Sequence, residues 1–339
     1  MRKETLKSLS EKTGYSISTI SRVLSGKGQL NRISKSTIDT IFQKAKEMNY
    51  FPNFCAQSLR TNKKNTIGLL IPSISNNFFS KVANHIINAA QQANYQVIII
   101  DTQEDEEIEK RAIESMIQHN VDGLIIAPSG HNIQAVKELH KKMPIIFVDR
   151  FIKDVDIPTV SVDNYKGAYI LTELLIRHGH SHIWAIQGKE SSSANKERVR
   201  GFKDAMAAHN FSQFAHIRGN EFSSTNGYTE TNIALLHEDK PTAIFTFSNN
   251  IFLGCMKALQ TNKVSIPSQI SVVTFDDDPY MDVLSPTITR IMQPVKEECH
   301  LAFKILLQAI EQQNTIQSTI LLAPILIMRD SISFIDNNI

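Results

Sequence analysis

The stretch TLKSLSEKTGYSISTISRVL, Thr5 to Leu24, decides how the chain begins. Thr5 is a helix-capping residue, and Leu6 and Leu9 behind it share one inward face. Gly14 breaks that first helix. Ser16 can cap a second, in which Ile17, Ile20, Val23 and Leu24 fall at the spacing of a single apolar stripe. Two short helices about a glycine-containing turn predict a helix-turn-helix. Ile20, Val23 and Leu24 then pack on the first helix, and Ile17, Ser18, Ser21 and Arg22 face outward. After the loop SGKGQLNR (25–32), Ser34 can cap a third helix with Ile38, Ile41, Phe42, Ala45 and Met48 inward. Pro52 ends it.

Charge sets this segment apart. Residues 1–65 hold 13 Lys and Arg against 4 Asp and Glu, a net of +9, while the remainder holds 23 against 30, a net of −7. A basic module joined to a mildly acidic one predicts a polyanionic partner for the first part only. Residues 53–65, NFCAQSLRTNKKN, read as a polar, basic linker with a short helix at 53–59.

From Thr66 the pattern changes. Short apolar runs such as TIGLLIP (66–72), YQVIIID (95–101), DGLIIAP (122–128), PIIFVD (144–149), TVSVD (159–163), HIWAIQG (182–188), TAIFTF (242–247) and ISVVTFDD (270–277) alternate with amphipathic segments. Among the latter are 79–92, 106–119, 167–179 and 200–209. Buried strands alternating with helices predict an α/β fold with parallel sheets, and the number of repeats predicts two lobes. The strands end in Pro, Asp or Gly, where open parallel sheets hold ligand crevices.

Composition excludes several classes. With 42% apolar and 21% charged residues the chain is globular rather than disordered. No apolar run reaches the roughly 18 residues of a membrane helix, and MRKETLKSLSEKTGYS lacks the apolar segment of a secretory signal. Three dispersed cysteines, Cys55, Cys255 and Cys299, fit a reducing cytoplasm and neither a disulfide framework nor a zinc cluster. The sequence shows no GxGxxG after a strand, no GxxxxGK[ST], no HExxH and no GxSxG, so no enzyme is predicted, with no catalytic residue, metal or cofactor. Asp276 to Asp278 form an acidic run without nearby histidines, which does not make a metal site.

These residues together resemble the LacI/GalR family of bacterial transcriptional repressors over nearly the whole chain. TLKSLSEKTGYSISTISRVLSG (5–26) is similar to the family's helix-turn-helix. NYFPNFCAQSLRTNKKNTIGLLIP (49–72) is similar to its third-helix end, hinge helix and first core strand. SISNNFFSKV (73–82), DGLIIAP, FVDR (147–150), VDNYKGA (162–168), RHGHSHI (177–183), RVRGF (198–202) and ISVVTFDD follow in the family's order. The resemblance implies an all-α helix-turn-helix headpiece at 1–51, a hinge at 52–65, and a two-lobed, periplasmic-binding-protein-like core at 66–339. Its N-lobe would take about 66–163 and 293–325, and its C-lobe about 164–292. It implies a cytoplasmic, nucleoid-associated homodimer that binds double-stranded operator DNA and a small sugar-like effector, with no membrane partner. The chain stops soon after LLAPILIMRD (321–330) without a heptad tail, which favours a dimer over a tetramer. A transport-type solute-binding protein would share the core but needs a signal peptide and no basic headpiece.

The resemblance also assigns residues. Ile17, Ser18 and Arg22 take the base-reading positions, Arg22 toward guanine or phosphate and Ile17 toward a thymine methyl. Ser16, Thr19 and Ser21 offer hydroxyls to phosphates and base edges. Thr5, Leu6, Asn31, Ser34 and Tyr50 are candidates for backbone contacts. The loop before the third helix is longer than the family's commonest form, and its Lys27 and Arg32 can add phosphate contacts. In the hinge, Asn53 begins the helix, Ala56 lets two hinge helices approach, and Leu59 is the minor-groove wedge. Polyol recognition needs Asp, Asn and Arg groups with an aromatic face. By motif these are Ser73, Asn76, Phe78, Phe79, Asp149, Asp163, Arg198, Asn249 and Asp276, with one of the two phenylalanines facing the core. Asn249-Asn250 stands where the family commonly has Asn-Asp.

Overall fold

The computed structural model describes residues 4–26, 28–50, 64–130, 133–153, 155–311 and 319–335. The chain separates into two compact units, Met1–Lys64 and Asn65–Ile339.

The first unit carries helices α1 (Leu6–Thr13), α2 (Ile17–Leu24) and α3 (Lys35–Glu47). Each begins at a hydroxyl cap. Thr5 and Ser8 exchange side-chain-to-backbone bonds in a capping box, Ser16 accepts from the Thr19 amide, and Ser34 accepts from the Thr37 amide. Gly14 ends α1 at φ +73°, a left-handed conformation that costs glycine little. Leu9, Ile20, Val23, Ile41 and Ala45 form the core, with Leu6, Leu24, Ile38, Met48 and Tyr50 packed against it. Burying a side chain such as Ile20 is worth roughly 1.5–3 kcal/mol, and few such residues hold this small unit together. Phe42, read from the sequence as inward, is 48% exposed: Ile38, Ile41, Ala45 and Met48 complete the stripe and Phe42 lies beside it. The loop before α3 is folded back on itself. The amides of Asn31 and Ile33 bond the Gly28 carbonyl, and Gly28 is buried against Ile38.

The second unit holds two six-stranded sheets. The first takes β1 (Thr66–Ile71), β2 (Gln96–Asp101), β3 (Gly123–Ile126), β4 (Ile145–Val148), β5 (Thr159–Val162) and β11 (Thr319–Leu322), ordered β11-β5-β4-β3-β1-β2 and parallel throughout. The second takes β6 (Ile183–Ile186), β7 (Ala215–Arg218), β8 (Ala243–Thr246), β9 (Ser271–Phe275), β10 (Thr289–Met292) and β12 (Ile325–Ile327), ordered β12-β10-β9-β8-β6-β7, with only the β12 edge antiparallel. Helices α4 (Asn77–Gln92) and α11 (Val295–Ile310) cover one face of the first sheet, and α5 (Glu106–Gln118) and α6 (Ile133–His140) the other. In the second lobe α7 (Asn164–Arg177) and α8 (Ser193–Ala208) cover one face, and α9 (Ser224–Leu236) and α10 (Asn249–Thr261) the other. Strands covered on both sides are apolar throughout, which is why Leu69, Leu70 and Ile71 are consecutive and all buried.

The chain passes between the lobes three times, after β5, β10 and β11. The last passage puts β12 beside β10 and carries the chain on to Ser331, which bonds Val272, so residues beyond 325 join the second lobe. Helix α8 starts seven residues before the amphipathic segment at 200. Ser192 caps it, and its first turns are polar, so apolar periodicity alone does not mark the start.

Candidate functional site

The strands of both sheets end at a cleft between the lobes. Asn76 follows β1, Asp149 and Arg150 follow β4, Ser248 follows β8, Asp276 follows β9, and Gln293 follows β10. With Phe78, Phe79, Ala194, Arg198 and Phe222 they line a small, partly open cavity of about 20 Å³, enough for little more than one water. Asp149 and Asp276 sit at φ +64° and +75°. Left-handed backbone at a non-glycine residue is sparsely populated and gathers at functional sites.

Arg198 is buried on α8. Its Nε donates to Asn164 Oδ1 at 2.7 Å and its Nη1 to the Phe247 carbonyl at 2.5 Å, and its Cζ stands 3.9 Å from the Phe275 ring centroid. This clamp fixes the guanidinium near Asp276 and Asp149, which favour its charge against the burial that lowers its pKa. Asp276 accepts from the Asn249 amide at 3.1 Å and from Gln293 Nε2 at 2.6 Å. Burial pushes the Asp149 carboxyl up to about 6, against the pull of Arg150 and Arg198. Below it, Glu298 on α11 accepts from the Asp149 amide at 2.8 Å, and burial with the nearby Asp149 charge raises its pKa well above the usual range.

Arg150 makes a two-pronged pair with Glu104 at 2.8 and 2.7 Å, and its Cζ lies 5.3 Å from the Phe79 centroid and 5.4 Å from that of Phe222. Phe79 belongs to the first lobe and Phe222 to the second, so one guanidinium bridges them. Other bonds also cross. Lys81 Nζ meets Asp278 Oδ1 at 2.7 Å and the Asp277 carbonyl at 2.5 Å, Asn77 donates to Asp278, Lys189 to the Glu104 carbonyl, and the Phe151 amide to Ser193 Oγ at 2.9 Å. These bonds hold the lobes closed over the small cavity. Beside it a wider groove of about 910 Å³ is lined by Ser73, Asn76 and Glu104 on one side and Lys189, Phe222 and Asn250 on the other.

The structure brings Asn76, Phe78, Phe79, Asp149, Arg198 and Asp276 together at the cavity. Both phenylalanines are buried and both line it, packed edge to face at 5.1 Å, where the sequence suggested that one turns inward. Asn76 also caps α4. Ser73 borders the wider groove. Asn249 lines neither the cavity nor the groove; its amide donates to Asp276 at 3.1 Å and its side chain to Asp278 at 2.9 Å. Asp163 is elsewhere: its carboxylate caps α7 by accepting from the Lys166 amide at 2.9 Å, and it lines neither the cavity nor the groove. Arg150, Phe222, Gln293 and Glu298 were not picked from the sequence. Arg150 stood in the quoted FVDR; the other three carry no local signal.

In the first unit, Ile17, Ser18 and Arg22 are exposed on α2 while Ile20 and Val23 are buried. The hydroxyls of Ser16, Ser18 and Thr19 gather at the α2 N-terminus at 2.8 Å, and those of Ser34, Ser36 and Thr37 do the same at α3 at 2.9–3.0 Å. Ser21 is half-buried. Thr5 and Asn31 are exposed, and Leu6 and Tyr50 pack against the small core. Lys27, Asn53, Ala56 and Leu59 lie outside the described residues. Cys255 and Cys299 are buried free thiols. No described helix is long and apolar enough to cross a membrane.

Residues 64–319 match the family described as periplasmic binding proteins and sugar binding domain of LacI family. The chain belongs to the LacI family. This LacI-family chain is 29% identical to the ribose operon repressor of Haemophilus influenzae, over 97% of this chain and 98% of that one. The lac repressor dimer bound to operator and the anti-inducer ONPF superposes with a TM-score of 0.87 at 25% identity, covering 97% and 99% of the two chains. A LacI family transcriptional regulator from Enterococcus faecium with bound ribose gives 0.73 at 25% identity, over 80% and 100%.

Proposed function

We propose that this LacI-family protein is a sequence-specific transcriptional repressor whose operator affinity is set by a small, sugar-like effector held between the core lobes. The observation that carries the reading is the pairing of two parts in one chain. A hydroxyl-capped helix exposes Ile17, Ser18 and Arg22 in a +9 segment, and a two-lobed core gathers Asp149, Arg198 and Asp276 at one cavity. The names of its relatives support both halves.

In this reading residues 1–51 bind DNA and 52–65 form the hinge. The core from 66 onward binds effector and pairs two copies into a cytoplasmic, nucleoid-associated homodimer. Ile17, Ser18 and Arg22 read bases, and Thr5, Leu6, Ser16, Thr19, Ser21, Asn31, Ser34 and Tyr50 hold the backbone. Asn53, Ala56 and Leu59 form a hinge helix on DNA. Effector acts through its differential affinity for two lobe arrangements, which the cross-lobe bonds separate. The reading gives the chain no catalytic step.

Fluorescence anisotropy with the protein's own promoter DNA, with and without sugars, tests it. Binding that falls steeply with salt and shifts with a sugar is expected. Indifference to promoter sequence at low salt, with every sugar tried, overturns it.

A further inference from the structure

The turn after β4 is strained, and it aims two cavity residues at once. Asp149 sits at φ +64°, and the Arg150 amide donates back to the Val148 carbonyl at 2.6 Å. This is the rare, left-handed form of a three-residue turn. Asp149 and Arg150 both line the cavity. Such backbone persists only where its surroundings over-determine it. Two side chains brace it here. Ser161 Oγ on β5 donates to the Asp149 carbonyl at 2.6 Å. Glu298 Oε1 on α11 accepts from the Asp149 amide at 2.8 Å, and the same amide bonds the Val160 carbonyl at 3.0 Å.

Glu298 is fully buried and lines neither the cavity nor the groove. The rest of the buried face of α11, Cys299, Ala302, Phe303, Ile305 and Leu306, is apolar, so packing alone does not call for an acid at this place. An acid costs more to bury than an apolar residue of its size, and Glu298 Oε2 finds no partner among the described residues. Burial raises its pKa well above the usual range, so the group is held as the neutral acid, with Oε1 free to accept. Helix α11 continues directly from the passage after β10, where Gln293 Nε2 donates to Asp276 at 2.6 Å. One stretch, 293–298, therefore touches the backbone beneath one cavity carboxylate and the side chain of the other, and these stand on different lobes.

We propose that Glu298 is a positioning residue for effector recognition: its Oε1 holds the strained turn at Asp149 and so sets where the Asp149 carboxylate and the Arg150 guanidinium meet the ligand. This rests on the reading of the cleft as a sugar-type effector site. Glu298 acts through the turn and does not touch the effector.

Two variants of the full chain separate this role from packing. Glu298→Gln keeps the acceptor, while Glu298→Met keeps the volume and removes it. In both, the Asp149 amide retains Val160, so no buried donor is orphaned. Thermal melts and calorimetric titrations with D-ribose, D-xylose, D-glucose and D-galactose read the outcome. The methionine variant should melt at or above the wild type, yet bind about tenfold or more weakly whichever sugar the wild type binds. The glutamine variant should stay within about threefold of the wild type. Glu298→Leu replaces the methionine variant should that one fail to fold. Wild-type sugar affinity in the apolar variant overturns the inference and leaves the sugar-site reading standing. Stability and affinity lost together, without rescue by glutamine, also overturn it. Should the wild type bind none of the four sugars, the sugar-site reading fails, and a crystal structure of the methionine variant decides the brace. Residue 149 leaving the left-handed region supports it, and an unmoved turn overturns it.

Discussion

Lys81 Nζ lies 2.7 Å from a carboxylate oxygen of Asp278, and the two residues stand on opposite lobes of the core. Asp278 is 2% exposed, while the lysine side chain keeps 35% of its surface. The pair therefore falls between a surface ion pair, worth up to about 1 kcal/mol, and a buried one whose breaking costs about 3–5 kcal/mol. Lys81→Met should weaken the closed arrangement by about 2 kcal/mol. Small-angle scattering of the ligand-free protein should show a larger radius of gyration. An unchanged scattering curve would place the closure elsewhere.

Arg198 is held by Asn164, by the Phe247 carbonyl and by the Phe275 ring, geometry that a lysine cannot reproduce. Arg198→Lys should cost about 1–3 kcal/mol of effector binding by calorimetry. Arg198→Ala should abolish the response to effector. In both variants operator binding, read by anisotropy without effector, should persist. Normal effector affinity in the lysine variant would remove Arg198 from the site.

Arg22 is exposed on the outer side of α2, opposite buried Ile20 and Val23. Arg22→Ala should remove about 1–3 kcal/mol of discrimination between operator and unrelated DNA at one fixed salt concentration, while effector binding is unaltered. An unchanged specificity ratio would place the reading surface elsewhere.

His180 is buried, with Nδ1 3.0 Å from Thr242 Oγ1 and Nε2 3.1 Å from the Ser333 carbonyl, a pairing the neutral ring satisfies. Burial pushes its pKa down to about 4. Between that value and the unfolded value near 6.5, the unfolded chain binds a proton that the folded chain does not. Stability should therefore fall as pH drops through this window, by on the order of 3 kcal/mol. Glu109 and Asp149 act oppositely: burial raises them to about 7 and about 6, so the folded chain holds their protons first and gains stability as pH falls. The comparison that isolates the histidine is urea unfolding of wild type and His180→Gln at pH 7 and pH 5. The variant should lose less stability between the two. Equal losses would mean that His180 titrates normally.

Helix starts, buried strands and the polarity of the first unit were written locally. Ser16 caps α2 because its hydroxyl meets an amide three residues on, and β1 is buried because every residue of GLLI is apolar or lacks a side chain. Asp149 and Asp163 look alike in the sequence, each an aspartate following a valine at a strand end. One is buried in the cavity and the other caps a helix. Their neighbours along the chain do not separate them, because the difference lies in where the chain goes next: after β4 it stays in the first lobe and returns as β5, while β5 hands it to the other lobe.

The sequence by itself determined the α/β class, the helical first unit with its outward Arg22, and the family. These depend on periodicity, capping and charge within a few residues, or on motifs in order. Only the tertiary structure decided which groups meet: Arg150 between Phe79 and Phe222, Glu298 beneath Asp149, and Gln293 against Asp276. Those partners are up to 149 positions apart. They come together because parallel strands place their ends on one line and the crossings fold two such lines face to face, an arrangement set by the packing of the whole core.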